Sequence, residues 1–490
     1  MCSKDCVREI KMWVLVFPEN FYKDLRDFLF STAPSENGCF LLANSYKTKN
    51  DSVLLVTDVI NPTKDSWNHN GEHALEPNSS FINDCVVSAD IQNSSLIFVH
   101  THPNSAHPSK FSHIDKQSNN MLFDNLSQIL VDRPLGSLVF SRKGICGVIH
   151  SDGKLQYISK IKVSGRLLHE FAGIGYDEEK SDGAGDEFDR QIRAVGEQSQ
   201  KQMQGLAVTV VGAGGTGSPV AVQLARMGVG KIRLIDNDIV EKTNIPRVYG
   251  SGEKDVGKPK VDVLKKHMET FSKSEIEAVN LNVTDEDARK YLTDSDVIFA
   301  CTDNLTSRHV LNDISIRYFI PLIDVGCRID LNKDGSISQA TIKVQIVTPD
   351  SACLWCTGAL NGNTILQESL SDTEKQEWVR NGYYHVVEKQ PSIISMTTMA
   401  ASMAVNKLLS LLGVFGSEYN SYTRIELKDG VVVDVVAETK NDCVCQKDRG
   451  RSYPETTKSR QGYTTVSEGE GGFLLAVVRC LGRLFCLKNK

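Results

Sequence analysis

One short run near the middle of the chain constrains its fold more than anything else. Ala207-Val208-Thr209-Val210-Val211 is apolar and β-branched, and it leads straight into Gly212-Ala213-Gly214-Gly215-Thr216-Gly217. A helix-like stretch, VAVQLARMG, comes next, and then a second apolar run, KIRLID, that ends in Asp236. Strand, glycine turn, helix and strand in this order make a crossover between parallel strands, the unit of an α/β sheet. The glycines let backbone amides close on a phosphate at a helix N-terminus. Asp236 places a carboxylate where ribose hydroxyls would sit. Alone, this fingerprint fits a dinucleotide as well as a nucleoside triphosphate.

The residues that follow separate the two. Asn244, Arg247 and Lys260 come after Asp236 and supply polar and cationic groups. A pyrophosphate resting on the helix needs no such ring, whereas a triphosphate needs cations and a magnesium ligand. Asp303, in VIFACTDN, stands at a strand end, where ligands of parallel sheets collect. Arg190, in FDRQI, lies on a helical segment before the first strand. Taken singly, Arg247, Lys260 or Asp303 reads best as half of a surface ion pair; as an ordered set they do not.

The set resembles the ThiF-like, ubiquitin-activating-enzyme family of adenylyltransferases over residues 188–446. That resemblance implies a Rossmann-like domain with a mostly parallel sheet. Gly212, Gly214, Gly215 and Gly217 would line the ATP, Asp236 would contact the ribose, and Asn244, Arg247 and Lys260 the triphosphate. Asp303 would hold Mg²⁺. Arg190 would be an arginine finger reaching the partner subunit's ATP, which implies a homodimer. The expected substrate is the Gly-Gly C-terminus of a ubiquitin-like or sulfur-carrier protein.

A second pattern lies upstream. Leu96-Ile97-Phe98-Val99 runs into His100-Thr101-His102-Pro103, and Ser112-His113-Ile114-Asp115 follows. Residues i and i+2 of a strand share a face, so both imidazoles can reach one ion, and a carboxylate completes three ligands with one position left for water. Glu36 is the candidate general base. Ser112 and Asp115 alone read as a helix cap. In order, the residues resemble the JAMM/MPN zinc isopeptidases, an α+β domain expected over residues 1–165. The resemblance implies catalytic Zn²⁺ on His100, His102 and Asp115, with Ser112 at the oxyanion. Nine residues separate His102 from Ser112, more than the family pattern usually has, and His107 within that insertion reads as a loop residue.

The 13 cysteines fit no export signal, because MCSKDCVREIKMW lacks an apolar core. In a reducing cytoplasm close cysteines read as metal ligands or nucleophiles. Cys353 and Cys356, with Cys443 and Cys445, make two close pairs suited to a structural Zn²⁺. No cysteine occurs in residues 357–442, where an acceptor thiol would be expected. Cys301 and Cys327 remain as candidates, though both read as core residues. The activated carboxylate is therefore expected to pass to an outside thiol or amine.

Composition sets the remaining bounds. Fifty-five Lys plus Arg against 61 Asp plus Glu gives a net charge of −6, with no footprint for nucleic acid. No apolar run is long enough for a spanning helix. An acidic, glycine-bearing linker is expected at 166–187, a polar tether at 447–472, and an amphipathic helix at 473–490 that covers its own domain or touches a membrane or partner. The whole reads as a two-enzyme α/β chain. The alternative is adenylation and cyclodehydration of a small or tRNA-borne carboxylate, as in the threonylcarbamoyl-adenosine dehydratases.

Overall fold

The computed structural model describes residues 12–72, 75–105, 110–173, 185–380 and 391–453. The chain divides into two compact units. The first takes Met1–Asp182 with the short pieces Arg317–Phe319 and Asp448–Glu455, and the second takes the rest. Among the described residues no helix is long and apolar enough to cross a membrane.

The first unit is a rolled sheet. In chain order it runs β1 (Met12–Pro18), α1 (Glu19–Phe30), β2 (Gly38–Lys47), β3 (Asp51–Ile60), β4 (Trp67–Asn70), β5 (Leu75–Pro77), α2 (Ser79–Ile91) and β6 (Ser95–Thr101). It continues with α3 (His113–Ile129), β7 (Leu135–Ser141), β8 (Gly144–Ser151), β9 (Lys154–Ser164) and β10 (Leu168–Ala172). The order β1-β3-β2-β6-β7-β8-β9-β10, with β9 also pairing β1, closes the sheet on itself like a barrel. Side chains alternate in and out along β2. Cys39, Leu41 and Ala43 join one core with Leu25 and Leu29 of α1, while Phe40 and Leu42 pack with α2 and α3 residues such as Cys85 and Phe123. Both faces of this sheet are covered, which is why its strands read as near-continuous apolar runs.

The second unit holds α4 (Asp189–Val195), α5 (Glu197–Gly205), β11 (Ala207–Val211), α6 (Gly217–Arg226), β12 (Lys231–Ile235), α7 (Lys260–Met268), β13 (Glu275–Val279), α8 (Arg289–Leu292) and β14 (Val297–Ala300). Then come α9 (Leu305–Tyr318), β15 (Leu322–Leu331), β16 (Ile337–Val347), α10 (Gly362–Glu368), α11 (Asp372–Arg380), α12 (Ile394–Leu411), β17 (Tyr422–Glu426), β18 (Val431–Asp434) and α13 (Val444–Asp448). The sheet order is β13-β12-β11-β14-β15-β16-β17-β18. It is parallel through β15 and antiparallel beyond. The sheet is therefore mixed, where a mostly parallel one is expected. The cause is local, since a short turn after β15 permits only a hairpin. The order reverses between β11 and β14, which is where open α/β sheets bind ligands.

The boundaries differ from expectation in one place. The segment expected as linker from residue 166 first adds β10, paired to β9 from Leu168↔Ser164 to Ala172↔Lys160. Leu168 is buried, which holds that strand to the sheet before the acidic text begins. The middle of the linker, His107, most of the tether and the segment expected as a C-terminal helix lie outside the described residues.

Candidate functional site

The glycine turn closes because two of its members lack a side chain. Gly212 has φ 93°, and a Cβ there would stand 2.6 Å from the carbonyl oxygen of Cys301. A Cβ on Gly217 would stand 1.7 Å from the Gly212 carbonyl oxygen. These two positions let the turn lie against the end of β14. Gly214 differs, for a Cβ there meets nothing within 4 Å. Gly215 lies beneath the stem of Arg247, whose Cδ is 3.2 Å from the built Cβ position. Thr216 makes no side-chain capping bond to α6. An open cradle at an uncapped helix N-terminus, with a guanidinium stem at its rim, suits phosphate.

The residues expected around it lie on or after the neighbouring strands and helices. Asp236 follows β12, and its carboxylate accepts the amides of Ala213 at 2.6 Å and Asp238 at 2.8 Å. It thus braces the turn, a role additional to the one expected of it. Burial pushes its pKa up, against the pull of those amides and of Lys260. Lys260 opens α7; its Nζ is 2.6 Å from Asp238 Oδ2 and its amide donates to the Asp238 carbonyl at 2.9 Å. Asn244 is buried, and its Oδ1 accepts the Glu241 amide at 3.0 Å. The Arg247 guanidinium donates to the Thr243 carbonyl. Asp303 is exposed on the loop after β14, two residues past Cys301, whose amide donates to Val211 at 2.8 Å. Arg190 stands exposed on α4.

Sequence reasoning missed three groups here. Arg308 donates to the Thr302 and Val325 carbonyls and lies 3.5 Å from Asp324 Oδ2. Asp324 is buried, with Oδ1 unpartnered. Glu368 binds the start of α9. Each meets its partner through the fold rather than through spacing. The cysteines near the turn are poor nucleophiles, because burial pushes the Cys301 thiol far up and the Cys327 thiol to about 11.

The four clustered cysteines meet at one point. Cys353 Sγ is 3.7 Å from Cys356 Sγ and 3.6 Å from Cys443 Sγ, and Cys356 Sγ is 3.7 Å from Cys445 Sγ. Tetrahedral zinc with Zn–S near 2.3 Å has sulfur–sulfur edges of about 3.8 Å. The Lys440 amide donates to Cys356 Sγ at 3.4 Å. Hydrogen bonding from neighbouring thiols, Cys353 foremost, pulls Cys445 down, and the same bond pushes Cys353 up.

In the first unit His100 lies near the end of β6 and His102 just beyond it, and the neighbouring β7 runs parallel to β6. Asp115 lies in the first turn of α3. Its Oδ1 is 3.2 Å from His100 Nε2 and its Oδ2 is 3.4 Å from His102 Nε2. Edges of that size match a tetrahedral ion with ligands about 2.0–2.1 Å away. Both ring nitrogens of His100 are buried without a hydrogen bond, and a metal would engage Nε2, the one that faces Asp115. The helix-cap reading of Ser112 and Asp115 holds as well. Ser112 Oγ accepts the Asp115 amide at 3.1 Å, and Asp115 Oδ2 accepts the Ser112 amide at 2.6 Å. Burial opposes ionisation of Asp115, but His100 and the Ser112 groups outweigh it and hold the pKa well below the carboxylate range.

Glu36 is buried, with Oε1 3.8 Å from His102 Nε2. Burial raises its pKa to about 7, with His100 opposing and Asp115 adding to the rise. Burial also lowers the pKa of His102, and His100 adds to the fall. Asn37 and Thr101, not anticipated from sequence, fix this turn. The Asn37 amide donates to Thr101 Oγ1 at 2.9 Å, and Asn37 Nδ2 donates to the Phe28 carbonyl at 2.9 Å.

Fold and site together define an α/β nucleotide-binding unit with a phosphate cradle at the topological switch. The ThiF family matches residues 188–446, and the chain belongs to that family. It is 38% identical over 139 residues to adenylyltransferase and sulfurtransferase MOCS3 of Anopheles gambiae, covering 28% of this chain and 32% of that protein. It is 30% identical over 163 residues to the SAMP-activating enzyme E1 of Haloferax volcanii, covering 33% and 57%. Against the sulfur carrier protein adenylyltransferase of Thermus thermophilus it is 33% identical over 141 residues, covering 28% and 52%. The chain thus spans from a third to somewhat over half the length of these curated relatives.

Proposed function

We propose that the second unit uses ATP to adenylate the C-terminal carboxylate of a ubiquitin-like or sulfur-carrier protein ending in Gly-Gly. The observation that carries this is the glycine turn, open at Gly214 with the Arg247 stem over neighbouring Gly215, in a chain of the ThiF family. The relatives' names, which include a sulfur carrier protein adenylyltransferase and a SAMP-activating E1, support the class of carrier. A carboxylate oxygen of the carrier attacks the α-phosphorus, the bond to the bridging oxygen breaks, and pyrophosphate leaves an acyl-adenylate. Lys260, Arg247 and Asn244 hold the phosphates and meet the charge that grows on the leaving group. Asp236 takes the ribose with the lone pairs its two amides leave. Mg²⁺, when bound, neutralises phosphate charge, and Asp303 is its ligand. Arg190 reaches the neighbouring site of a homodimer. Because burial keeps Cys301 and Cys327 protonated, the acyl group passes to an outside thiol or amine.

The first unit is proposed to be a JAMM/MPN-type peptidase or isopeptidase acting at such C-termini. Zinc held by His100, His102 and Asp115 supplies Lewis acidity and a water of lowered pKa. Glu36, whose pKa burial raises in the metal-free chain, takes a proton from the attacking water and returns it to the leaving amine. The Ser112 hydroxyl keeps its proton to donate to an oxyanion. Cys353, Cys356, Cys443 and Cys445 would hold a structural zinc as thiolates, and free cysteines of this kind suit a reducing cytoplasm.

Carrier-dependent exchange of labelled pyrophosphate into ATP tests the first activity. Exchange should disappear in Lys260→Ala, and its absence from the unaltered chain with every Gly-Gly carrier tried refutes the reading. AMP release stimulated by tRNA and not by a carrier would support the dehydratase alternative. Cleavage of a carrier fusion that survives Glu36→Ala refutes the peptidase.

A further inference from the structure

Asp303 is exposed on a loop, yet a metal ligand must be held in place. The loop is pinned on both sides. Before it, the Thr302 carbonyl accepts Nε and Nη2 of Arg308, both at 3.2 Å. After it, Asn304 Oδ1 accepts the Ser307 amide at 2.7 Å as a cap for α9. The next two amides go to a residue far away in sequence. Glu368, the last residue of α10, accepts the Leu305 amide at 3.1 Å, the Thr306 amide at 2.7 Å and the Thr306 hydroxyl at 2.8 Å. Three donors converge on one carboxylate.

The segment that brings Glu368 there is itself fastened to α9. The Leu354 amide donates to Asn312 Oδ1 at 2.8 Å, and Trp355 Nε1 donates to His309 Nδ1 at 3.3 Å. Leu305, His309 and Asn312 follow one another at helical spacing and form a single stripe along α9. Residues 353–368, which include two ligands of the cysteine cluster, therefore grip α9 at three successive levels. The grip ends beside Asp303.

We propose that Glu368 is a positioning residue for adenylation, clamping the first turn of α9 so that Asp303 is held for the metal-bound triphosphate. This rests on the assignment of Asp303 as the Mg²⁺ ligand. A carboxylate is required, since Gln would turn an NH₂ donor toward one of the three donors that converge there.

The test is calorimetric titration of the full chain with ATP in excess Mg²⁺ and with ATP in EDTA. The unaltered chain should bind more tightly with Mg²⁺. Glu368→Gln should lose about tenfold of that Mg²⁺-dependent gain, the scale of one charge-assisted hydrogen bond. Its affinity in EDTA and bound zinc should stay unchanged and its melting temperature should fall by only a few degrees, while the Leu305 and Thr306 amides exchange with deuterium faster. Thr306→Val, which removes only the hydroxyl bond, should shift the gain the same way by less. An unchanged gain in Glu368→Gln overturns the proposal, as does an equal loss in both titrations with lower melting or lost zinc. If Asp303→Asn keeps the gain, or the unaltered chain shows none, the assignment of Asp303 fails instead.

Discussion

A single methyl group, added at two positions of one turn, should separate folding from nucleotide binding. In Gly217→Ala the new carbon must occupy a point 1.7 Å from the Gly212 carbonyl oxygen. No side-chain rotation relieves a clash between backbone and Cβ, so the turn or α6 must move. Forced overpacking of this kind costs about 1–3 kcal/mol and sometimes more. At about 2–4 °C per kcal/mol for a domain of this size, the melting transition of the second unit should fall by roughly 2–12 °C. In Gly214→Ala the carbon meets nothing within 4 Å, so melting should stay within about 1–2 °C of the parent. The same carbon then occupies space the phosphate would use, and the affinity for Mg²⁺-ATP should drop at least about tenfold, or 1.4 kcal/mol. Scanning calorimetry and ATP titration on the two variants measure both quantities. The reasoning is refuted if Gly214→Ala binds ATP like the parent, or if it melts as low as Gly217→Ala.

Three further outcomes are expected. Lys260→Ala should abolish pyrophosphate exchange by about a hundredfold or more and leave Asp238, now 2.6 Å from Lys260 Nζ, without its cation; exchange at parental rate would refute its phosphate role. Cys443→Ser should lower bound zinc by one equivalent in atomic emission and reduce stability, whereas unchanged metal content would show that the cluster holds none. Glu36, raised by burial to about 7, binds its proton more tightly folded than unfolded. In the metal-free chain its contribution is therefore favourable below the unfolded pKa and is lost as pH rises through about 7. Glu36→Gln should melt above the parent at pH 8, by at most about 3 kcal/mol, with the gap closing toward pH 5. A gap independent of pH would contradict the burial of that carboxylate.

What was legible in the sequence is what the backbone enforces locally. The glycine turn announces itself because Gly212 and Gly217 answer steric demands within one loop. The His100-Thr101-His102 pair is visible because a strand repeats every two residues. Asp115 was ambiguous for a physical reason: one carboxylate both caps α3 and faces the two imidazoles, so neither description excludes the other. The linker boundary went astray at β10, where one buried residue, Leu168, holds a short strand among exposed neighbours.

Arg308, Asp324, Glu368, Asn37 and Thr101 were invisible for a different reason. Their partners are backbone groups, or for Asp324 the Arg308 guanidinium, brought to them by sheet order and helix packing, and no spacing encodes such a meeting. Yet they occupy equivalent mechanical positions in the two units. In each, reactive side chains leave the carboxyl end of a strand with a parallel neighbour, His100 and His102 from β6 beside β7, and Asp236 and Asp303 from β12 and β14 on either side of β11. Consecutive parallel strands end on the same side and leave their last carbonyls and loops unpaired there. Side chains that bind backbone must then stiffen those loops, as Thr101 does for the Glu36 turn and Arg308 and Glu368 do on either side of Asp303. A carboxylate placed there without such partners would be free to follow solvent rather than a metal or a phosphate. The reactive residues can be read from sequence because their chemistry restricts their identity, whereas the residues that hold them need only reach a carbonyl or an amide, and many side chains can do that.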